Sequence, residues 1–202
     1  DLDHKIYGVD NHNDFYSTSL KEKRRKLLDS SRYRFFEQDI NNISIPENNF
    51  DLAINLAAQP GVRIKKNKQY LYEHSNIQGF KAFCNFCKHK KITKIIYASS
   101  SSVYSDESKQ KFSESNTKLK PISQYGRSKL KNEEYASYFA KKNNIYMVGL
   151  RFFSVYGPYG RPDMAYFSFT ESLKNNGTIK LNNKGDMSRD MTYIDDLIEG
   201  IL

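Results

Sequence analysis

The stretch "KITKIIYASSSSVYS", residues 91–105, decides the fold. Its first half is rich in β-branched and aromatic residues, which suit a pleated, half-buried strand. It then changes to four consecutive serines, Ser99–Ser102. A strand ending this way presents hydroxyl groups at its carboxyl end. Downstream, "PISQYGRSKLKNEEYASYFAKKN", residues 121–143, reads as a helix that opens with Tyr125 and Lys129 four positions apart.

Working outward, the same alternation repeats. Strands are predicted at 5–10 ("KIYGVD"), 32–40 ("RYRFFEQDI"), 50–58 ("FDLAINLAA"), 91–100 and 144–153 ("NIYMVGLRFF"). Helices are predicted near 18–28, 68–89, 124–143 and 164–175. Strands alternating with helices imply βαβ units, hence an α/β fold with a doubly wound parallel sheet and helices on both faces. Ligands of such sheets bind beyond the carboxyl ends of the strands. Those ends here carry Asp10 and Asn11, Asp39 and Ile40, "AAQPGVR", the serines, and "FFSVYGPYGRP". Each can be read singly as a turn or cap; together they point to one crevice. Beyond residue 155 the pattern changes. "TIKLNNKGDMSRDMTYIDDLIEGIL" predicts a short strand, a polar loop and a helix with an N-cap near Asp195. The expected division is 1–155 for a partial nucleotide-binding domain and 156–202 for the start of a smaller substrate lobe.

Composition narrows the function. The chain has 202 residues, 38% hydrophobic and 14% aromatic, so it is globular rather than disordered. The formal charge of +9 comes with basic residues spread along a chain rich in Lys and Asn. An RNA-binding stripe interleaves basic residues with exposed aromatics, and none is evident. No run approaches the ~20 apolar residues of a membrane span. The expected location is cytoplasmic, with no membrane or nucleic-acid partner. The cysteines, Cys84 and Cys87, lie inside the amphipathic run "NIQGFKAFCNFCKHKK" with no second pair to complete a metal site, so they read as helix packing. His4, His12, His74 and His89 show no ligand spacing.

Tyr125 and Lys129 share a helix face. A free phenol titrates near 10, and a nearby ammonium favours the phenolate. Bringing it to about 7 takes roughly 4 kcal/mol of differential stabilisation. A serine hydroxyl bridging the phenol and a substrate oxygen would complete general acid–base geometry for an alcohol becoming a ketone. YxxxK alone is a weak signal; combined with a serine run at a preceding strand end of a parallel sheet, it is strong.

The pieces "VDN", "LAAQPGVR", "YASSSSVYS", "YGRSK", "LRFFSVYGPYGRPDMA" and "RDMTYIDD" span nearly the whole chain. On them the sequence resembles the extended short-chain dehydrogenase/reductase family, the NAD-dependent nucleotide-sugar epimerases and dehydratases with a Rossmann-like fold. "AAQPGVR" and "RFFSVYGPYGRPDMA" look most like UDP-glucuronate 4-epimerases. The resemblance implies NAD as cofactor, a UDP-sugar as substrate, and C4 epimerisation of UDP-glucuronate to UDP-galacturonate through a 4-keto intermediate, in polysaccharide precursor synthesis. It implies Tyr125 as base, Lys129 as its partner and ribose contact, and Ser100 as the catalytic hydroxyl. Ser101 and Ser102 would line the sugar pocket. Asp10 would bind the adenosine ribose, with Asn11 beside it, and Asp39 and Ile40 would flank the adenine. Leu56, Ala57, Ala58 and Gln59 would line the cofactor, with Asn76 and Ser99 nearby. Phe152 and Ser154 would sit by the nicotinamide and sugar, Arg189 by the diphosphate, and Arg63 and Arg161 by a sugar carboxylate. A homodimer through the helices at 68–89 and 124–143 is also implied.

The family opens with a strand and a GxxGxxG turn. None of this chain's ten glycines makes that turn, so a fragment of a longer protein is expected, with its first strand and Gly-rich loop lacking. Asn55 and Ser105 stand where relatives carry His and Gly. Rival readings are a 4,6-dehydratase or decarboxylase on the same fold, and a non-catalytic binder of nucleotide sugars or nucleic acid. Dehydratases place an acidic pair where Ser101 and Ser102 stand, which favours epimerisation.

Overall fold

The computed structural model describes residues 4–28, 30–62, 64–104, 111–186 and 188–202. The chain divides into two compact units: the described residues up to Asn11 with Ser31–Phe152, and His12–Ser30 with Phe153–Leu202.

In the first unit, strands β1 (Ile6–Asp10) and β2 (Tyr33–Glu37) form a parallel pair. Strands β3 (Ala53–Asn55), β4 (Lys94–Ala98) and β5 (Tyr146–Leu150) form a parallel sheet with β4 in the middle. Ile95 therefore sits between Ala53 and Met147. The ladder runs on past the strand ends, where Ser99 N donates to Leu150 O at 2.8 Å and Ser101 N to Phe152 O at 2.9 Å. This holds the serine run beside residues 150–152.

Helices α2 (Gly79–His89) and α3 (Gln124–Asn143) supply the core. Phe80, Phe83, Cys84 and Cys87 of α2 pack with Ile92, Ile95 and Tyr97 and with Ala136 and Phe139 of α3. Each such Ile or Phe contributes roughly 2 kcal/mol on burial. The CNFC pair is part of this core, and burial pushes the Cys84 thiol up to about 12 and Cys87 up as well. Helix α2 continues a π-helical turn, Tyr72–Gln78. Helix α3 starts where Ser123 Oγ accepts from Gly126 N at 2.9 Å, and stops at Asn144, which adopts the left-handed conformation with φ 52°.

The second unit holds α1 (Thr18–Lys26), β6 (Ser154–Tyr156), α4 (Ala165–Lys174), β7 (Met191–Tyr193) and α5 (Ile194–Ile201), with β6 and β7 paired in parallel. Two expectations are corrected. The short strand of this stretch lies after the polar loop, at β7, because a strand needs a partner and β6 supplies it there. The N-cap of α5 is Tyr193, while Asp195 and Asp196 lie in the first turn, where the positive end of the helix dipole favours carboxylates. Arg24 of α1 donates to Gly160 O at 2.9 Å, tying α1 to the 157–161 loop.

Candidate active site

The polar groups of the first unit gather at the carboxyl ends of its strands. Ser100 is extended and caps the 3-10 turn Ser101–Val103, its Oγ accepting from Ser102 N at 3.1 Å. Helix α3 docks on this turn through Gly126. A Cβ there would collide with the backbone carbonyl of Ser102, so only glycine lets the residue after Tyr125 come this close. The helix thus presents Tyr125 beside the serines.

Lys129, only 3% exposed, reaches back along the helix to donate from Nζ to Ala98 O at 2.8 Å. Its Nζ stands 5.9 Å from the centroid of the Tyr125 ring. Burial lowers its amine from 10.5 to about 8, so it still holds its proton at neutral pH. The site therefore contains a buried cation beside a half-buried phenol, which is the arrangement needed to favour a phenolate.

Around this pair runs a buried polar chain. Gln59 N donates to Asn76 Oδ1 at 2.7 Å, Asn76 Nδ2 to Ser128 Oγ at 2.9 Å, and Ser128 Oγ to Tyr125 O at 2.7 Å. Asn76 lies in the π-helical turn, a deviation common at functional sites. Tyr72 of the same turn donates from its hydroxyl to Gly61 O at 2.5 Å and packs its ring 6.3 Å from that of Tyr125. Burial, with Tyr125 next to it, raises the Tyr72 phenol, so it remains protonated.

A second group forms at the ends of β1 and β2. Asp10 and Asn11 are exposed. Asp39 accepts from Asn11 Nδ2 at 3.0 Å, from Asn41 N at 2.9 Å and from Asn41 Nδ2 at 2.8 Å, with His74 Nε2 at 3.9 Å. Partial burial works to raise the Asp39 carboxyl, but these hydrogen bonds and His74 hold it below its ordinary value. Ile40 packs against Gly79. At the end of β3, Leu56 is 59% exposed and Ala57 is also open, while Gln59 is buried. Phe152 is half-buried next to the serine turn through its backbone bond to Ser101.

In the second unit, Ser154 opens β6 and is half-buried. Arg161 makes a two-pronged ion pair with Asp163, both contacts at 2.9 Å, so its guanidinium fork is engaged within the chain. Arg189 is exposed, with Nη1 donating to Ser188 O at 2.7 Å. Arg63 and Ser105 lie outside the described residues.

The profile of the NAD dependent epimerase/dehydratase family matches residues 1–202. The chain belongs to that family. Among its relatives, Protein CapI of Staphylococcus aureus is 41% identical over 204 residues, covering 98% of this chain and 61% of CapI. UDP-glucuronate 4-epimerase 2 of Arabidopsis thaliana is 42% identical over 206 residues, covering 98% of this chain and 48% of that protein. The crystal structure of UDP-glucuronic acid 4-epimerase from Bacillus cereus in complex with UDP-glucuronic acid and NAD superposes with a TM-score of 0.84 at 34% identity, over 98% of this chain and 63% of that one. The chain thus spans roughly half to three fifths of the length of these proteins.

Several residues of this family member were not singled out by motif reading: Gly126, Ser128, Tyr72, and the pair Glu133 and Arg151. Gly126, Ser128 and Arg151 lie inside the pieces "YGRSK" and "LRFFSVYGPYGRPDMA", and Glu133 continues the i, i+4 stripe of Tyr125 and Lys129, but none of these strings names the partner each residue meets.

Proposed function

We propose that this chain carries the proton-transfer site of an NAD-dependent UDP-sugar 4-epimerase, converting UDP-glucuronate to UDP-galacturonate. The observation that carries this reading is Lys129: a buried, protonated amine pinned to Ala98 O beside Tyr125 and one residue from the serine run.

Tyr125 takes the proton from the C4 hydroxyl of the sugar, aided by the Lys129 charge, and returns it after the 4-keto sugar has turned over. Ser100 hydrogen-bonds the same oxygen, and Ser101 and Ser102 face the sugar ring. The strand ends fit NAD. Exposed Leu56 and Ala57 offer an apolar bed for a planar ring, followed in the chain by half-buried Ala58 and buried Gln59. Asp10 and Asn11 bind the ribose hydroxyls, Asp39 and Ile40 flank the adenine, and Asn76, Ser99 and Phe152 support the nicotinamide end. When bound, NAD supplies the hydride acceptor and, on return, the donor at C4. Ser154 contacts the sugar, Arg189 the diphosphate, and Arg63 and Arg161 the carboxylate, with Arg161 leaving Asp163 to do so.

The same reading includes a cytoplasmic homodimer built on α2 and α3. A cavity of about 370 Å³ is lined by Glu73 and Ile77 of the π-helical turn, Lys81 of α2, and Lys131 and Tyr135 of α3 among others. Solution mass at micromolar concentration checks this; a monomer overturns it.

The test of activity is to incubate the full-length gene product with UDP-glucuronate and NAD and weigh the product. An isomer is expected; loss of water or carbon dioxide would move the protein to a dehydratase or decarboxylase. Tyr125→Phe is expected to lower turnover roughly 10³-fold. Undiminished turnover would remove Tyr125 as the base.

A further inference from the structure

Tyr125, Lys129 and Glu133 occupy one stripe of α3, four residues apart at each step. Lys129 is tied to Ala98, the last residue of β4. Glu133 is tied to the residues just beyond both neighbouring strands. Its Oε1 accepts from Ser99 Oγ at 2.5 Å and from Arg151 Nε at 2.9 Å, and its Oε2 accepts from Arg151 Nη2 at 2.8 Å. Arg151 follows the end of β5. Its Nη1 donates to Tyr104 Oη at 3.1 Å, and its guanidinium lies 4.9 Å from the Tyr104 ring centre. Tyr104 follows the serine turn and stacks on Phe112 at 4.6 Å. The ion pair is largely shielded, with side chains 18% and 17% exposed.

We propose that Glu133 and Arg151 are a positioning pair that fixes the rotation of α3, and with it the aim of Tyr125 and Lys129 at the serine turn; this rests on the epimerase reading above. A single carboxylate joins α3 to the ends of β4 and β5 with charge-assisted bonds of fixed fork geometry. Rolling α3 about its axis breaks all of them together. Tyr125 lies two turns away on the same rigid rod, so a small roll at Glu133 displaces its hydroxyl on the scale of an ångström. Such a displacement is worth on the order of 10²-fold in rate. The ion pair itself touches no reacting atom.

The test uses the full-length gene product with NAD and UDP-glucuronate, and compares Glu133→Gln, Arg151→Met, Arg151→Lys and the double variant Glu133→Met/Arg151→Met. Each single change to a neutral residue leaves an unpaired partner and lowers Tm. The double change removes both charges and brings Tm back toward the parent. The expected result is that kcat nevertheless stays down roughly 30-fold in the double variant, with KM for UDP-glucuronate within about 3-fold. Arg151→Lys keeps the charge without the fork and is expected to fall between, giving a readout even where a neutral variant fails to fold. A pair that served only stability would regain kcat together with Tm, and that outcome overturns the proposal.

A readout independent of turnover is the titration of Tyr125, followed by ring-carbon NMR and identified by difference with Tyr125→Phe. It is expected to move upward by roughly half a unit or more in the double variant and in Arg151→Lys, as the Lys129 charge loses its alignment. If Tyr125→Phe keeps full activity, or the parent has none, the epimerase reading fails and this titration alone decides. An unchanged Tyr125 titration then overturns the positioning role as well.

Discussion

Two neighbouring helices each carry a spaced pair of reactive-looking residues toward the interior, and the pairs differ in what they meet. On α2, Cys84 and Cys87 face Ile92, Ile95 and Tyr97. Burial there offers the thiolate nothing in return, so both thiols are held protonated. On α3, Lys129 is as deeply buried, but it meets the carbonyl of Ala98 at a strand end. Its amine falls to about 8 and stays charged at neutral pH. Spacing along a helix therefore does not mark a site. What marks it is whether the stripe points at the apolar middle of the sheet or at the polar carboxyl ends of its strands.

The largest break in that contrast is to remove the α3 charge. On the proposed function, Lys129→Met is expected to lower turnover of UDP-glucuronate by roughly 10²-fold or more. In the parent, turnover is expected to decline as pH rises through about 8, because Lys129 then sheds the proton that supports the phenolate. Stability moves the opposite way. Below about 8 the lysine is charged in both folded and unfolded chains, and its burial opposes folding in full. Between about 8 and its ordinary value of 10.5 the folded chain has released the proton and the unfolded chain has not, so this contribution to stability rises with pH. Urea midpoints across that range, compared between parent and Lys129→Met, check the sign; the variant should lack the rise.

A smaller effect is expected at the docking point of the helix. Gly126→Ala forces α3 off the Ser102 carbonyl, destabilising by roughly 1–3 kcal/mol, with a loss of turnover larger than the shift in KM. Wild-type turnover together with wild-type Tm would show that the close approach is not required. The smallest effect belongs to α2. Cys84→Ala is expected to lower stability by about 1–2 kcal/mol and leave turnover unchanged, and the native protein should resist thiol reagents. Rapid labelling of Cys84 or Cys87 without unfolding would contradict their packing in the core.

Much of this was legible from local signals. Strand β4 at 94–98 falls inside the run expected at 91–100, and α3 spans the expected 124–143, because both elements are written in neighbouring residues. The serine turn and the Tyr125–Lys129 pair followed, since i and i+4 must share a face. What stayed hidden depends on partners far along the chain. The grouping of residues 12–30 with 153–202 rests on pairings such as Arg24 with Gly160. The partner of Glu133 is Arg151, eighteen residues away on another element. Arg161 looked like a free fork, but Asp163 two residues later fills it. The strand at Met191–Tyr193 exists because β6 is there to pair with it.

The π-helical turn at Tyr72–Gln78 has a consequence for how this protein tolerates change. It inserts surplus backbone between two stretches with different duties, Tyr72 and Asn76 toward Gly61 and Gln59, and Phe80 to Cys87 toward the sheet. Excising one residue there would leave a continuous spiral and an intact apolar seam on α2. It would also swing everything upstream by about 100°, so that Asn76 and Tyr72 turn away from their carbonyl and amide partners. A single-codon deletion at that spot is thus a way to dismantle the proposed site while the scaffold persists.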